Sequence, residues 1–217
     1  MIDLHTHTIL SDGVLIASEL VRRFNVKGGS IIAITDHIDA SNIDFVIPRI
    51  VKVSRELTCY WHIKVIPGAE LTHIPPKSIS PLAKEAKKLG AKVILVHGET
   101  IVEPVEPGTN RYAIECKEID IIAHPGIIDE RDAIRAAKQG KILEISTRDG
   151  HSLANGHVVK IARKTGCGLF INSDTHSPDN ILCENERINI GISAGLTLKE
   201  VKKIFNDMKN FAARLIK

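Results

Sequence analysis

Short apolar runs of strand length recur along the chain, each followed by a stretch with helical spacing of its hydrophobic residues. Ile2 and Leu4 alternate with polar neighbours in an opening strand. Ser30 to Thr35 is a near-continuous apolar run. Further runs cover His62 to Pro67, Lys92 to Val96, Ile119 to Ala123, Lys141 to Ser146 and Gly168 to Asn172. Runs that are apolar on both faces suit a parallel sheet covered by helices on each side. Between them the pattern predicts helices over Ala17–Phe24, over 43–57 with Pro48 obscuring its start, and from a Ser80 cap with Pro81 in the first turn to a stop at Gly90. Others run from about Asn110, from Asp129 to Gly140, and from Asn155 to Lys164 before Gly166. The last follows a Thr197-x-x-Glu200 capping box and presents Val201, Ile204, Phe205 and Met208 on one face.

The result is seven strand–helix units in one domain, residues 1–217, with no linker at which to divide it. Alternating β and α elements imply a parallel sheet. Neither a Gly-x-Gly-x-x-Gly nor a Walker-type phosphate loop is present, so a nucleotide-cofactor fold has no support. The expected fold is therefore an α/β, distorted (β/α)7 barrel of TIM-like form.

Composition changes this picture little. The net charge of +3 is small and the positive residues are scattered, which argues against a nucleic-acid surface. No apolar run reaches the ~18 residues of a membrane span, and the N-terminus enters a strand at once, unlike a signal peptide. Cys59, Cys116, Cys167 and Cys183 are widely separated, giving no disulfide framework and no structural zinc spacing; a reducing cytoplasm is expected. The ten histidines are the anomaly.

Most of those histidines fall at predicted strand ends. His5 and His7 are two apart and share a face of the first strand, with Asp12 just beyond. His37, Glu70, His97 and His124 close the next four strands, and Asp174 and His176 repeat the i, i+2 arrangement after the last. The spacings between successive strand ends, 32, 33, 27, 27, 22 and 28 residues from His5 through His37, Glu70, His97, His124 and Ser146 to Asp174, are those of consecutive βα units. In a βα barrel the site lies at the C-terminal strand ends. A single pair of histidines could be a hydrogen-bonded core residue beside an exposed one, but core histidines have no reason to track strand ends. Nine metal-binding side chains exceed the roughly four that one tetrahedral ion takes, so two or three divalent ions are expected, with Glu70 as the natural bridge.

The motifs Asp3-Leu4-His5-Thr6-His7 with Ser11-Asp12-Gly13, Thr35-Asp36-His37, Gly68-Ala69-Glu70, His97-Gly98, Ala123-His124-Pro125-Gly126 and Asn172-Ser173-Asp174-Thr175-His176 resemble the PHP family, named for polymerase and histidinol phosphatase domains. The resemblance covers essentially the whole chain. It implies a distorted seven-stranded barrel with a trinuclear site, in which His5, His7, Glu70 and Asp174 hold one ion, Asp12, His37 and His176 a second, and Glu70, His97 and His124 a third. It leaves the metal open among zinc, manganese and iron.

Around this set, Asp36 and Glu144 read as carboxylates that support ligands rather than bind metal. His73, Lys77, Arg111, Arg148, His151 and His157 lie on mouth-side loops or just after them. Taken singly each suits a solvated charge or a local hydrogen bond; Arg148 is the first choice to grip a phosphate bidentately, with His151, Lys77 and Arg111 as further phosphate candidates. His62, at the opposite face, is expected to be structural.

The expected function is a hydrolase: a metal-dependent phosphoesterase acting on a small phosphomonoester, histidinol-phosphate-like or related, by metal-activated hydroxide at a trinuclear site. Glu70 and Asp174 would carry catalysis through the ions and Arg148 on the phosphate. A nuclease or nucleotide phosphatase is the alternative within enzymes, disfavoured for extended strands by the few aromatic residues. A non-catalytic metal-binding scaffold is the alternative outside them; metal analysis separates it.

Overall fold

The computed structural model describes residues 1–216. Its framework is a set of parallel strands paired in the order β1 (Ile2–Asp3), β2 (Ile31–Ile34), β4 (Lys64–Leu71), β5 (Val93–His97), β6 (Ile121–Ala123), β7 (Ile142–Ser146) and β8 (Gly168–Asn172). β3 (His37–Ile38) resumes the line of β2 after a break at Thr35-Asp36 and also pairs with β4. Seven strand positions are thus filled, and the sheet curls into an almost closed, TIM-like barrel, as the alternation predicts.

The seam between β8 and β1 has no strand ladder. It is closed by an isolated Thr6–Thr175 bridge, by the His7 amide donating to the Thr175 carbonyl at 2.8 Å, and by side chains reaching across. Asn172 Oδ1 accepts from the Leu4 amide at 3.1 Å, and Asp3 Oδ1 accepts from the Ser173 amide at 3.2 Å. The fully buried Arg187 donates to the carbonyls of Ile2 and Ile171, one on each side of the seam. β1 is therefore shorter than its pattern predicts: His5 and His7 lie beyond it, on either side of Thr6, whose amide, carbonyl and hydroxyl bond Thr35 and Ala33.

The helices α1 (Ala17–Val26), α2 (Ile43–Tyr60), α3 (Ile79–Leu89), α4 (Thr109–Glu115), α5 (Glu130–Lys138), α6 (Asn155–Thr165) and α8 (Leu198–Leu215) match the predicted ones, α2 keeping its expected start, with differences at the start of α3 and in an added α7. α2 starts at Ile43 and contains Pro48, whose missing N–H costs one backbone bond. Burial of Ile43, Val46, Ile47 and Ile50 on one face offsets this. α3 begins at Ile79, so Ser80 lies inside it and caps nothing. α7 (Glu184–Ser193) has no counterpart in the sequence reading. It buries Arg187 and Gly191 rather than an apolar stripe, and its capping residue is Cys183, so neither usual signal is present.

β4 is also longer than expected. It runs through Gly68 and Ala69 to Leu71, so Glu70 lies within the strand rather than after it. Leu4, Ala33, Ile66, Val93, Leu95, Ile121 and Phe170 lie below the mouth in one apolar cluster with the α8 face of Val201, Ile204 and Met208, while the faces of the earlier helices pack with Ile32, Ile34, Ile94, Val96 and Ile122 in a second.

Candidate metal centre

All nine predicted ligands converge on the C-terminal mouth. His5 Nε2 lies 3.3 Å from Glu70 Oε1 and 3.6 Å from Asp174 Oδ1. His7 Nε2 is 3.2 Å from Asp174 Oδ1 and 3.7 Å from Glu70 Oε2. On the next side, Asp12 Oδ1 sits between His37 Nε2 at 3.3 Å and His176 Nε2 at 3.1 Å. His37 Nδ1 reaches Glu70 Oε2 at 2.7 Å. His124 Nε2 is 3.6 Å from Glu70 Oε1 and 3.8 Å from Asp174 Oδ2. Glu70 and Asp174 are thus the hub of the cluster, each facing several imidazoles.

The imidazoles and carboxylates gather into sub-groups able to share an ion: His5 with His7 and Asp174, and His7 with Asp12, His37 and His176. His97 and His124 are joined by His151, whose ring stacks 4.0 Å from that of His124. Glu70 reaches His124 but makes no comparable contact with His97 among the described residues.

Burial makes this cluster chemically demanding. His5, His7 and Glu70 are fully buried and Asp174 nearly so. Yet His5 Nε2, both ring nitrogens of His7, Glu70 Oε1, both Asp174 oxygens, His97 Nδ1 and His124 Nδ1 have no hydrogen-bond partner. Of the remaining orphaned atoms among the described residues, Ser54 Oγ and Arg187 Nε lie elsewhere. A buried polar atom without a partner costs on the order of 1–3 kcal/mol, so a concentration of them at one mouth is not a stable end point in itself. Lone pairs of imidazole and carboxylate converging in this way fit a divalent transition ion, whose bonds would satisfy them together.

The charges follow from the same packing. Burial works to lower the pKa of His5, but Glu144, Glu70 and Asp174 outweigh it and hold the imidazole well above its ordinary value. His37 is likewise desolvated, yet Glu70 and Asp12 raise it to about 10. Burial would raise Glu70, but His5 and His37 hold it well below the usual carboxylate range. His7 and His124 go the other way, lowered by burial and by neighbouring imidazoles. Asp174 is raised to about 6 by burial, with Glu70 beside it adding to the effect.

Glu144 forms a further sub-group with His5 and His124, but its two oxygens are already engaged. Glu144 Oε1 lies 2.9 Å from His5 Nδ1 and accepts from Asn172 Nδ2 at 2.8 Å, while its Oε2 accepts from the His124 amide at 3.1 Å. This fixes the His5 ring with Nε2 toward the mouth. Asp36 accepts from the Thr8 amide at 2.6 Å and from the Thr8 and Ser11 hydroxyls at 2.8 and 2.7 Å, and so shapes the turn that carries Asp12.

Among the phosphate candidates, Arg148 reaches in, with Nη1 3.0 Å from His176 Nε2 and 3.5 Å from Asp174 Oδ2. His151 also belongs to the mouth: its Nδ1 bonds the Thr100 hydroxyl at 2.8 Å, and burial lowers its pKa to about 4. Lys77 and Arg111 do not join them. Lys77 is exposed and lines a separate surface cleft, and Arg111 faces Glu115 at 3.7 Å. His157 donates to the Ile128 carbonyl at 2.8 Å and is structural; His62 is exposed.

One mouth residue escaped the sequence reading. Glu103, on the β5–α4 loop, lies 3.0 Å from His97 Nε2, 3.1 Å from His73 Nε2 and 3.4 Å from His151 Nε2. Hydrogen bonding to His97, against partial burial and with help from His73, lowers its pKa to about 2. It belongs to no strand end, and the only signal in the sequence was an acidic loop after His97.

Fold and cluster together define a class: TIM-like α/β barrels that gather histidines and carboxylates at the C-terminal ends of their strands. The chain belongs to the PHP domain family, which matches residues 3–163. It is 47% identical over 216 residues to an uncharacterized protein of Methanocaldococcus jannaschii, covering 99% of this chain and 98% of that one. It is also 22% identical over 204 residues to the DNA polymerase/3'-5' exonuclease PolX of Bacillus subtilis, covering 90% of this chain but 32% of that protein. Among solved structures, a candidate histidinol phosphatase of Listeria monocytogenes superposes with a TM-score of 0.57 at 10% identity, covering 86% of this chain and 99% of that one. A two-domain Bacteroides vulgatus protein described as containing a predicted PHP-like metal-dependent phosphoesterase superposes at 0.52 with 17% identity, covering 82% of this chain and 52% of that one. At these identities the two structures speak for the fold alone.

Proposed function

We propose that the chain is a metal-dependent phosphoesterase that hydrolyses a small phosphomonoester, with His5, His7, Asp12, His37, Glu70, His97, His124, Asp174 and His176 holding two or three divalent transition ions (zinc, manganese or iron). The observation that carries this reading is the convergence of buried, unpartnered imidazole and carboxylate atoms on Glu70 and Asp174. Bound divalent ions supply Lewis acidity for a phosphoryl oxygen and bring the pKa of water toward ~7.

The side chains would divide the remaining work. Glu70 and Asp174 face imidazoles on several sides and would serve as shared carboxylates. Arg148, one-third exposed at the mouth and directed at Asp174 and His176, would offer its planar fork to phosphate oxygens. Its present partners are side chains that would themselves turn to cations, which would release the guanidinium for substrate. Glu144 would keep His5 oriented throughout.

The test is phosphate release from a panel of phosphomonoesters, histidinol phosphate and mononucleotides among them, by protein loaded with Mn or Zn. Release should require the metal and should fall at least ~100-fold in Glu70→Ala. Activity that survives in metal-replete Glu70→Ala would contradict the reading. The match to an exonuclease-containing polymerase supports one further arm, a single-stranded oligonucleotide; cleavage of it in preference to every monoester would favour a phosphodiesterase instead.

A further inference from the structure

Glu103 and His73 stand outside the nine-residue set, yet they are built toward it. The Glu103 carboxylate is bracketed by three imidazoles, Oε2 facing His73 Nε2 at 3.1 Å and His97 Nε2 at 3.0 Å, and Oε1 facing His151 Nε2 at 3.4 Å. His73, His97 and Glu103 each offer one ligand atom, and the three lie within 4.8 Å of one another.

The loop behind Glu103 is fixed. Glu99 Oε1 accepts from the amides of Gly108 at 3.1 Å and Asn110 at 2.8 Å, closing the β5–α4 loop on itself. Asn110 then ties that loop to the next one, accepting from the Glu99 amide at 3.1 Å and donating to the Pro125 carbonyl at 2.9 Å. Glu103 is therefore presented by an anchored loop.

His73 carries a second, independent mark. Only three non-glycine residues among those described have a left-handed backbone: His124 at φ 25°, Asp174 at φ 53° and His73 at φ 50°. Strain of this kind persists where the surroundings enforce it and clusters at functional sites. Two of the three already belong to the candidate centre. The third aims its Nε2 at the same carboxylate oxygen as His97.

We propose that Glu103 and His73 extend the metal centre outward, joining His97 to hold a divalent transition ion at the rim of the mouth. Two imidazoles and one carboxylate give three protein ligands and leave positions open to solvent or substrate, as in catalytic rather than structural sites. The rim position would make the last-loading ion depend on two loops that the nine-residue set does not use. The inference rests on the phosphoesterase reading to the extent that His97 is shared.

The test reads metal content, not activity. Wild type, His73→Ala, Glu103→Gln and Glu103→Asp are stripped, dialysed to equilibrium against graded Zn²⁺ or Co²⁺, and their bound metal is counted by mass spectrometry, with the Co²⁺ visible spectrum followed in parallel. His73→Ala and Glu103→Gln should lose or weaken at least tenfold one equivalent, the weakest, while the tighter equivalents load as in wild type; Glu103→Asp should recover part of the loss. Thermal melts of the stripped proteins check folding, and His73, in an exposed loop, carries the test if Glu103→Gln fails to fold. Identical stoichiometry, affinity and spectra in wild type and folded variants would overturn the proposal while leaving the phosphoesterase reading intact. A wild type that takes up no transition metal at any loading would overturn both.

Discussion

Glu144 shows how much of the centre depends on a residue that would bind no metal. It is fully buried, orients His5 through Nδ1 and accepts from Asn172 and the His124 amide, so three parts of the mouth meet on one carboxylate. Glu144→Gln can keep its oxygen on His5 and Asn172 only by turning its NH2 toward the His124 amide, which is also a donor, and it removes the charge that holds His5. We expect metal affinity to fall roughly 10–100-fold, as is usual when such a partner is lost; competition titration against a chromophoric chelator measures it. Protonation gives a second residue-scale prediction. In the metal-free protein His5 is held well above its ordinary pKa and His37 at about 10, so both carry protons at neutral pH. Their ion pairs stabilise the metal-free fold below the unfolded value of about 6.5, and that stability is lost as pH rises through the folded values. Metal requires the neutral imidazole, so uptake at pH 7 should release protons, and affinity should rise with pH. Below pH 6 a third proton, on Asp174, joins the competition. Titration calorimetry in two buffers of different ionisation heat reads the number released; equal heats would contradict it.

At the level of elements, the barrel's weak line is the β8–β1 seam, and α7 supplies its fastening. Arg187 is fully buried and donates to one carbonyl on each side, with Asp3 Oδ2 4.0 Å away. Arg187→Met should keep most of the volume but leave those acceptors unpaired, costing about 2–3 kcal/mol. Urea denaturation gives the value. Because β1 leads directly into His5 and His7, metal affinity should drop with it. Gly126 is the other tight point, with φ at +62° and the Glu99 carbonyl where a Cβ would lie, so the His97 and His124 loops interlock there. Which elements the sequence reveals follows from the same physics. Strands buried on both faces announce themselves as apolar runs, and Gly90, Asp129 and Thr197 mark helix ends that the structure keeps. α7 was hidden because its inward face is an arginine and a glycine. The full reach of β4 was hidden because Pro67-Gly68 reads as a strand's end, whereas here Pro67 stands opposite Ile34, where β2 stops and the pairing passes to β3.

For the whole molecule, the strand-end histidines were legible because a barrel brings every strand's C-terminal end to one mouth, whatever the distance in sequence. Glu103 was not, since loop residues meet only once the loops have folded; for the same reason His73 could be placed on a mouth-side loop but not against Glu103, and Lys77 and Arg111 were misjudged. If the cluster exists to take cations, they should support the fold as well. Ions that bind the native state alone contribute about 2.7 kcal/mol at a hundredfold excess over Kd, so chelation should lower the melting temperature and readdition restore it. An unchanged melt would mean that the cluster is satisfied without metal. The central claim meets its most direct test in a single comparison: phosphate release from phosphomonoesters by stripped protein, by the same protein reloaded with Mn or Zn, and by reloaded Asp174→Asn. No release, release, and a loss of at least ~100-fold are expected, in that order. Equal turnover by stripped and reloaded protein, or full activity in Asp174→Asn, would contradict it.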